Sequence, residues 1–261
     1  MTDQDLSTLF WNIQSPGELC AISGLDNVNK HLVEFPVFDL YAFCGIRDED
    51  CAERLRNHIA QHANADYEQV VGTTGYGNDL LAIFYNSTVL SPAGKHLELK
   101  AIREGNGRAP LVASLMHQTD GTRFSFMLNH LESSVVETRL KQSTMLNQWV
   151  ADNAGPVIMM GDFNYFDVRT DNHPEDDQGF ARLTADGVLK WVEPDTLVPT
   201  EFAADLEIDW ILDLVFVGNG ARQWNSKSKI LLSKHPRAYF LQDSVPDHRP
   251  VAAAFAWSNG E

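Results

Sequence analysis

The amino-acid sequence predicts an α/β fold in which two mixed β-sheets pack face to face with helices on the outside. Three observations lead there. Short apolar runs of β character far outnumber helical stretches along the chain. Few helical segments stand between those runs, whereas a doubly wound parallel sheet requires a crossover helix after nearly every strand. The length of 261 residues and a hydrophobic content of 44% are enough for one large core. A single domain over residues 1–261 is therefore expected.

Taken in order, LSTLFWNI, FDLYAFCG, YEQVV and LLAIFY read as strands, being short, rich in β-branched and aromatic residues, and bounded by turn formers. DEDCAERLRNHIAQHA reads as a helix with acidic residues in its first turn. PLVASLMHQ and RFSFMLNHL flank TDGT, whose Asp-Gly pair favours a tight hairpin turn. SSVVETRLKQSTMLNQWVADN carries apolar residues at helical spacing, with Ser133 or Ser134 as the expected cap. PVIMMGDFN, ILDLVFVGN, SKILLS and RPVAAAFAW complete the strands, and the acidic TDNHPEDDQGF reads as a loop insertion. There is no internal repeat and no low-complexity tract.

Composition narrows the function classes. With 36 acidic against 20 basic residues the formal net charge is −16, which opposes nonspecific attraction to nucleic acid. A carboxylate cluster holding a divalent cation would still present a positive site to phosphate. No apolar stretch approaches the ~20 residues of a membrane span, and the N-terminus lacks the pattern of a signal peptide. A cytoplasmic protein with no membrane partner is expected, or a secreted one if a leader was removed. Cys20, Cys44 and Cys51 are odd in number and lack CxxC spacing, so they are expected to be reduced packing residues. His58 and His62 lie four apart in HIAQH, which lacks the glutamate of a zinc-protease helix, and they read as structural.

Polar residues interrupt or end the apolar strands at recurring points: Asn12, Asn129 and His130, Asp162 and Asn164, Asp213, and the pair Asp247-His248. Each alone reads as a turn former. Together they suit magnesium, which takes oxygen ligands and needs only one or two protein carboxylates beside a substrate phosphate. Asp162, Asp247 and the amide oxygen of Asn12 meet that demand.

The segments WNI, NHL followed by a helix with R..Q, GDFN, LDLVFV and PDHRPV occur in one order over residues 11–257. In this they resemble the endonuclease/exonuclease/phosphatase family, the superfamily of pancreatic deoxyribonuclease, abasic-site endonucleases, sphingomyelinases and inositol polyphosphate phosphatases. GDFN and DHRPV are the specific signals, and WNI and NHL are weak alone. The resemblance implies a four-layer α/β sandwich and hydrolysis of phosphodiester bonds dependent on Mg2+ or Mn2+. It places Asn12 and Asp247 near the metal, and Asp162 where the attacking water is oriented or deprotonated. Asn164 would hold that water or a phosphate oxygen. His248 would contact the scissile phosphate and assist proton transfer. Asp213 matches the carboxylate that orients this histidine, with Asp209 in EIDW as the competing choice. His130 matches a second phosphate-contacting histidine, and Asp79 its carboxylate partner. Arg47, in IRD, matches a substrate-contacting arginine.

Two departures stand out. Pro246 replaces the usual Ser or Thr ahead of the terminal Asp-His. More consequential, the strand DLYAFCGI should end on a metal-binding glutamate, and Gly45 stands there. Either the ligand is lost, or Asp48 or Glu49 reaches back, or water fills the vacancy, or the glycine serves a turn with φ > 0. A lost ligand on an otherwise intact scaffold is the favoured reading, so Gly45→Glu is expected to raise both activity and metal affinity. The expected substrate is a phosphodiester such as DNA or RNA, with a small-molecule or lipid phosphoester as the alternative. A noncatalytic protein that binds a phosphorylated ligand or a protein partner is the competing class. Oligomeric state is unreadable, and no basic patch gives a nucleic-acid footprint.

Overall fold

The computed structural model describes residues 5–13, 22–75, 79–103, 107–165, 174–203, 208–232 and 247–257. The chain runs through β1 (Leu6–Asn12), α1 (Ile22–Leu32), β2 (Leu40–Ile46), α2 (Glu49–Ala63), β3 (Tyr67–Val71), β4 (Leu80–Asn86), β5 (Leu90–Pro92), β6 (Leu97–Glu98), β7 (Leu111–His117) and β8 (Arg123–His130). It continues through α3 (Val136–Asp152), β9 (Val157–Asp162), α4 (Gln178–Leu183), β10 (Leu189–Trp191), β11 (Glu201–Ala203), β12 (Ile208–Trp210), β13 (Asp213–Gly218), β14 (Asn225–Ile230) and β15 (Val251–Ala256).

The strands form the expected pair of mixed sheets. One has the order β14-β15-β1-β2-β4-β3, the other β10-β13-β9-β8-β7-β5 with β6 also on β7. β1–β2 and β8–β9 are the parallel pairs. A small antiparallel ribbon, β11–β12, stands apart from both.

Because strand side chains alternate between faces, each strand divides its apolar residues between two layers. Phe10, Ala42, Ile83, Phe126, Met160, Val215 and Phe255 fill the space between the sheets. Leu9, Trp11, Tyr41 and Phe43 face outward against Leu25 and Val28 of α1 and Leu55 and Ile59 of α2. Met127, Met159 and Phe216 face the opposite way, against Leu146 and Val150 of α3 and Phe180 of α4. The result is a helix–sheet–sheet–helix sandwich.

α2 begins where its acidic first turn predicts, with Asp48 as N-cap accepting from the Cys51 N–H at 2.8 Å. α3 differs from expectation. Its cap position is Val135, without a side-chain bond, and the Glu132 carboxylate accepts the Ser134 N–H in place of a serine cap. The acidic stretch is only partly a loop, since it includes a 3-10 turn at Pro174–Asp176 and the start of α4. Cys44 is a free buried thiol. Cys51 is disulfide-bonded, which corrects the expectation of wholly reduced cysteines; Cys20 lies outside the described residues. No helix among the described residues is long and apolar enough to cross a membrane.

One polar clamp fixes the approach to the strand that ends near the candidate site. Glu98 in β6 accepts the backbone N–H groups and the hydroxyls of Thr73 and Thr74, at 2.6–2.8 Å. Burial opposes its charge, but these bonds outweigh it and hold the carboxyl at a pKa of about 2. A depressed carboxylate pKa stabilises the fold above the unfolded value and ceases to do so as pH falls through the folded one. Glu98→Gln is therefore expected to lower stability by about 2 kcal/mol at pH 7. In urea titrations the gap should narrow as pH drops from 4.5 toward about 2; a gap independent of pH would contradict this account.

Candidate active site

Alternation also builds the site. Asn12, Cys44, Asp162 and Asp213 continue the faces of β1, β2, β9 and β13 that point between the sheets, and His130 does so on β8. Where the apolar residues of these faces run out, polar ones take their place at one end of the sandwich. Register fixes their neighbours: Asn12 pairs with Cys44, and Asp162 with both His130 and Asp213. Gly161 permits the close approach of β9 to β8, for at its φ of 156° a Cβ would run into the backbone of Asn129.

Asp162 is the hub. It is 2% exposed. Its Oδ1 accepts the Asn164 N–H at 3.0 Å, and its Oδ2 accepts Asn12 Nδ2 at 2.9 Å. His130 Nε2 lies 3.5 Å and His248 Nε2 3.9 Å from the same Oδ2. Asn164 adopts a φ of 52°, which Asn tolerates, and its amide donates to Leu131 O.

His248 Nδ1 lies 2.8 Å from Asp213 Oδ2. Its backbone oxygen accepts Trp11 Nε1 at 2.8 Å, which anchors the loop ahead of β15. Of the two carboxylates competing for this histidine, Asp213 is the one in contact; the Asp209 side chain lies outside the described residues. The Asp213 N–H and Leu212 N–H both reach Thr200 Oγ1, at 3.2 and 2.9 Å, while Thr200 O accepts the Arg249 N–H.

The two histidines are driven apart in charge. Burial disfavours the His248 cation, but the Asp213 contact, with Asp162 and Asp247 nearby, outweighs it and raises the pKa well above the ordinary range. Burial also disfavours the His130 cation, and there the neighbouring Arg108 and His248 charges reinforce it, so this ring is pushed well down. Burial raises Asp162 to about 7, with His248 opposing and Asp213 and Glu201 adding to the rise. Burial likewise pushes the Cys44 thiol up, leaving it unsuited to act as a thiolate ligand.

Asp79 is brought to His130, with Oδ1 3.6 Å from Nδ1, while its other oxygen forms an ion pair with Arg108. Arg139 and Gln142, the R..Q of α3, brace the loop after His130: Arg139 donates to Glu132 O and Ser133 O, and Gln142 accepts the Glu132 N–H. Arg47 is half-exposed and pairs with Asp48 at 3.1 Å. Asp247 is half-buried beside His248. Pro246 lies outside the described residues.

Gly45 is buried, has a φ of 80°, and sits where the β2–β4 register shifts between Phe43 and Ile46. It is thus a bulge glycine in a conformation that favours glycine. Asp48 is committed to the α2 cap and to Arg47, so it does not reach back to supply a ligand.

Asp162, Asp213 and His248 each bring a ligand atom within 4.8 Å of the others; with His248 protonated on Asp213, the carboxylates are the members of this group able to hold a metal ion. Among the described residues, Asp213 Oδ1 has no hydrogen-bond partner. With Asp247 and Asn12 nearby the donor chemistry is mostly oxygen, which fits a hard divalent cation. Two site residues escaped the sequence reading. Arg108 comes from the glycine-rich segment GNGRAP, and Glu201 from a short ribbon with no motif of its own. Glu201 Oε1 lies 3.8 Å from His248 Nε2.

No family model matches the chain, and no curated protein does. Solved structures match its fold throughout. An endonuclease/exonuclease/phosphatase from Bacteroides vulgatus superposes with a TM-score of 0.71 at 14% identity, covering 97% of this chain and 99% of that one. D. rerio TDP2 complexed with a single-strand DNA product gives 0.70 at 16%, covering 97% and 99%. A mannosyl-6-phosphatase of Bacteroides thetaiotaomicron gives 0.67 at 15%, covering 97% and 100%. At these identities the shared property is the fold.

Proposed function

We propose that the protein is a phosphoester hydrolase assisted by Mg2+ or Mn2+, acting by in-line attack of water on phosphorus. The observation that carries this reading is the convergence of His248, held by Asp213 at 2.8 Å, and the buried Asp162 that faces both histidines. Asp162, buried and facing both histidines, is placed to orient water and take its proton. Asn164 and Asn12 orient the Asp162 carboxylate. His248, kept cationic by Asp213, donates toward a phosphoryl oxygen and opposes its developing charge. His130, kept neutral, offers a hydrogen bond without adding charge. Asp162, Asp247 and Asn12 are the residues that would hold the metal, which when bound polarises the phosphoryl group.

Gly45 leaves this site one carboxylate short of the family pattern, so weak metal binding is expected. That same shortage favours the second reading, a noncatalytic protein that binds a phosphorylated ligand. The matched structures include a phosphatase of mannosyl 6-phosphate and a protein with bound DNA product, and both a nuclease and a small-molecule esterase remain within this proposal. The test is hydrolysis of bis(p-nitrophenyl) phosphate. Turnover should appear with millimolar Mn2+ or Mg2+, vanish in chelator and be inhibited by orthophosphate. No turnover with either metal, together with orthophosphate that leaves Tm unmoved, would overturn both readings.

A further inference from the structure

Glu201 meets His248 across an isolated antiparallel bridge that joins the β11–β12 ribbon to the catalytic loop. Its carboxylate lies 3.8 Å from Nε2, the nitrogen that also faces Asp162, and its side chain is 24% exposed. Directly opposite Glu201 in the ribbon register stands Trp210, half-buried. Directly paired residues of an antiparallel ribbon project from the same face. A half-buried carboxylate and an indole therefore share one face of the ribbon, with the carboxylate next to the histidine that this reading sets against the phosphate.

We propose that Glu201 and Trp210 form the leaving-group subsite for a hydroxyl-rich alcohol, a sugar or polyol, and that Glu201 turns the site away from nucleic acid. The inference rests on the phosphoester-hydrolase reading and names its substrate class. An ionised carboxylate only accepts hydrogen bonds and can serve two neighbouring hydroxyls at once. The indole supplies an apolar face for the carbon side of a sugar ring while remaining compatible with a polar rim. A nucleic acid brings further phosphates on either side of the scissile one, and an anion fixed next to Nε2 repels the nearest of them. The net charge of −16 adds to that repulsion. A neutral polyol experiences neither penalty. Its hydroxyls replace the water that the carboxylate loses on closure, and a site built to bond a hydroxyl discriminates strongly against a substrate that lacks it.

The test compares three substrates: glycerophosphoinositol, a short single-stranded oligonucleotide, and bis(p-nitrophenyl) phosphate, which has neither hydroxyls nor flanking phosphates. Wild type should favour glycerophosphoinositol over the oligonucleotide. Glu201→Gln should raise KM for glycerophosphoinositol by about ten- to a hundredfold, the loss of one charge-assisted hydrogen bond. Because Glu201 borders His248, its effect on the shared chemistry is read on bis(p-nitrophenyl) phosphate and divided out: relative to that substrate, kcat/KM should fall at least about tenfold for glycerophosphoinositol and rise about tenfold for the oligonucleotide. Trp210→Ala should reproduce the KM loss without the gain on the oligonucleotide. A uniform fall on all three substrates would assign Glu201 a structural role and overturn the proposal, as would a wild-type preference for the oligonucleotide. If wild type cleaves nothing, calorimetry with inositol 1-phosphate separates the two ideas. Glu201-dependent binding keeps the subsite while the hydrolytic reading falls, and Glu201-independent binding removes the subsite.

Discussion

Asp213→Asn is expected to lower kcat for phosphoester hydrolysis by about 10³- to 10⁴-fold, with KM changed by less than about threefold. The carboxylate does not touch substrate. It holds the imidazole through Nδ1 and supplies the negative charge that keeps His248 protonated against its own burial. An amide of the same shape preserves packing but withdraws that charge, so Nε2 loses its proton in the working pH range. The linkage has a definite sign. A histidine raised by its partner stabilises the fold below its unfolded value, about 6.5, and loses this only as pH rises through the raised value. The variant should therefore lose stability relative to wild type at pH 6, and the gap should close in strongly alkaline buffer. Nitrogen-15 NMR of the His248 ring reads the protonation directly. A kcat within about threefold of wild type would remove His248 from the chemistry.

Gly45→Glu is expected to tighten Mn2+ binding by at least about tenfold, raise turnover, and at the same time lower Tm. The new carboxylate enters a site whose nearby ligands already converge, so little ordering is needed for it to contribute. Against this, Gly45 sits at a φ of 80° in a β2 bulge, and a side chain there costs about 1–2 kcal/mol. Calorimetric Mn2+ titration and thermal unfolding of the same samples measure the two effects separately. Unchanged metal affinity in a folded variant would mean that the glycine serves the bulge alone.

The reach of the sequence can be traced residue by residue. The long strands were legible because their apolar residues alternate, and Phe10, Ala42, Phe126, Met160 and Val215 do share the inter-sheet layer. α1 was not, since ISGLDNVNKHL mixes glycine, serine and asparagine with only Leu25, Val28 and Leu32 as its buried stripe. β5, β6, β10, β11 and β12 have two or three residues each, too few to display a period. Within the site, Asn12, His130, Asp162 and Asp213 sit at the ends of long strands on the inward parity, so the pattern that marks the strand also aims the residue. Arg108 and Glu201 arrive from a loop and a ribbon placed only by tertiary contacts, and no local pattern announces either. Gly45 stood between: a positive φ was among the readings its sequence left open, while the bulge that requires it was not legible.

Thr200 joins two tasks that a designer would prefer to keep separate. Its hydroxyl receives the N–H groups of Leu212 and Asp213, its carbonyl receives that of Arg249, and its next neighbour is Glu201. The residue proposed to choose the alcohol and the residue that steers the catalytic histidine thus both depend on the placement of Thr200. Changes of substrate preference that displace the β11–β12 ribbon would be transmitted to the imidazole, coupling selectivity to turnover number. New specificities on this scaffold should therefore emerge more readily from side-chain replacement at positions 201 and 210 than from insertions or deletions in the ribbon.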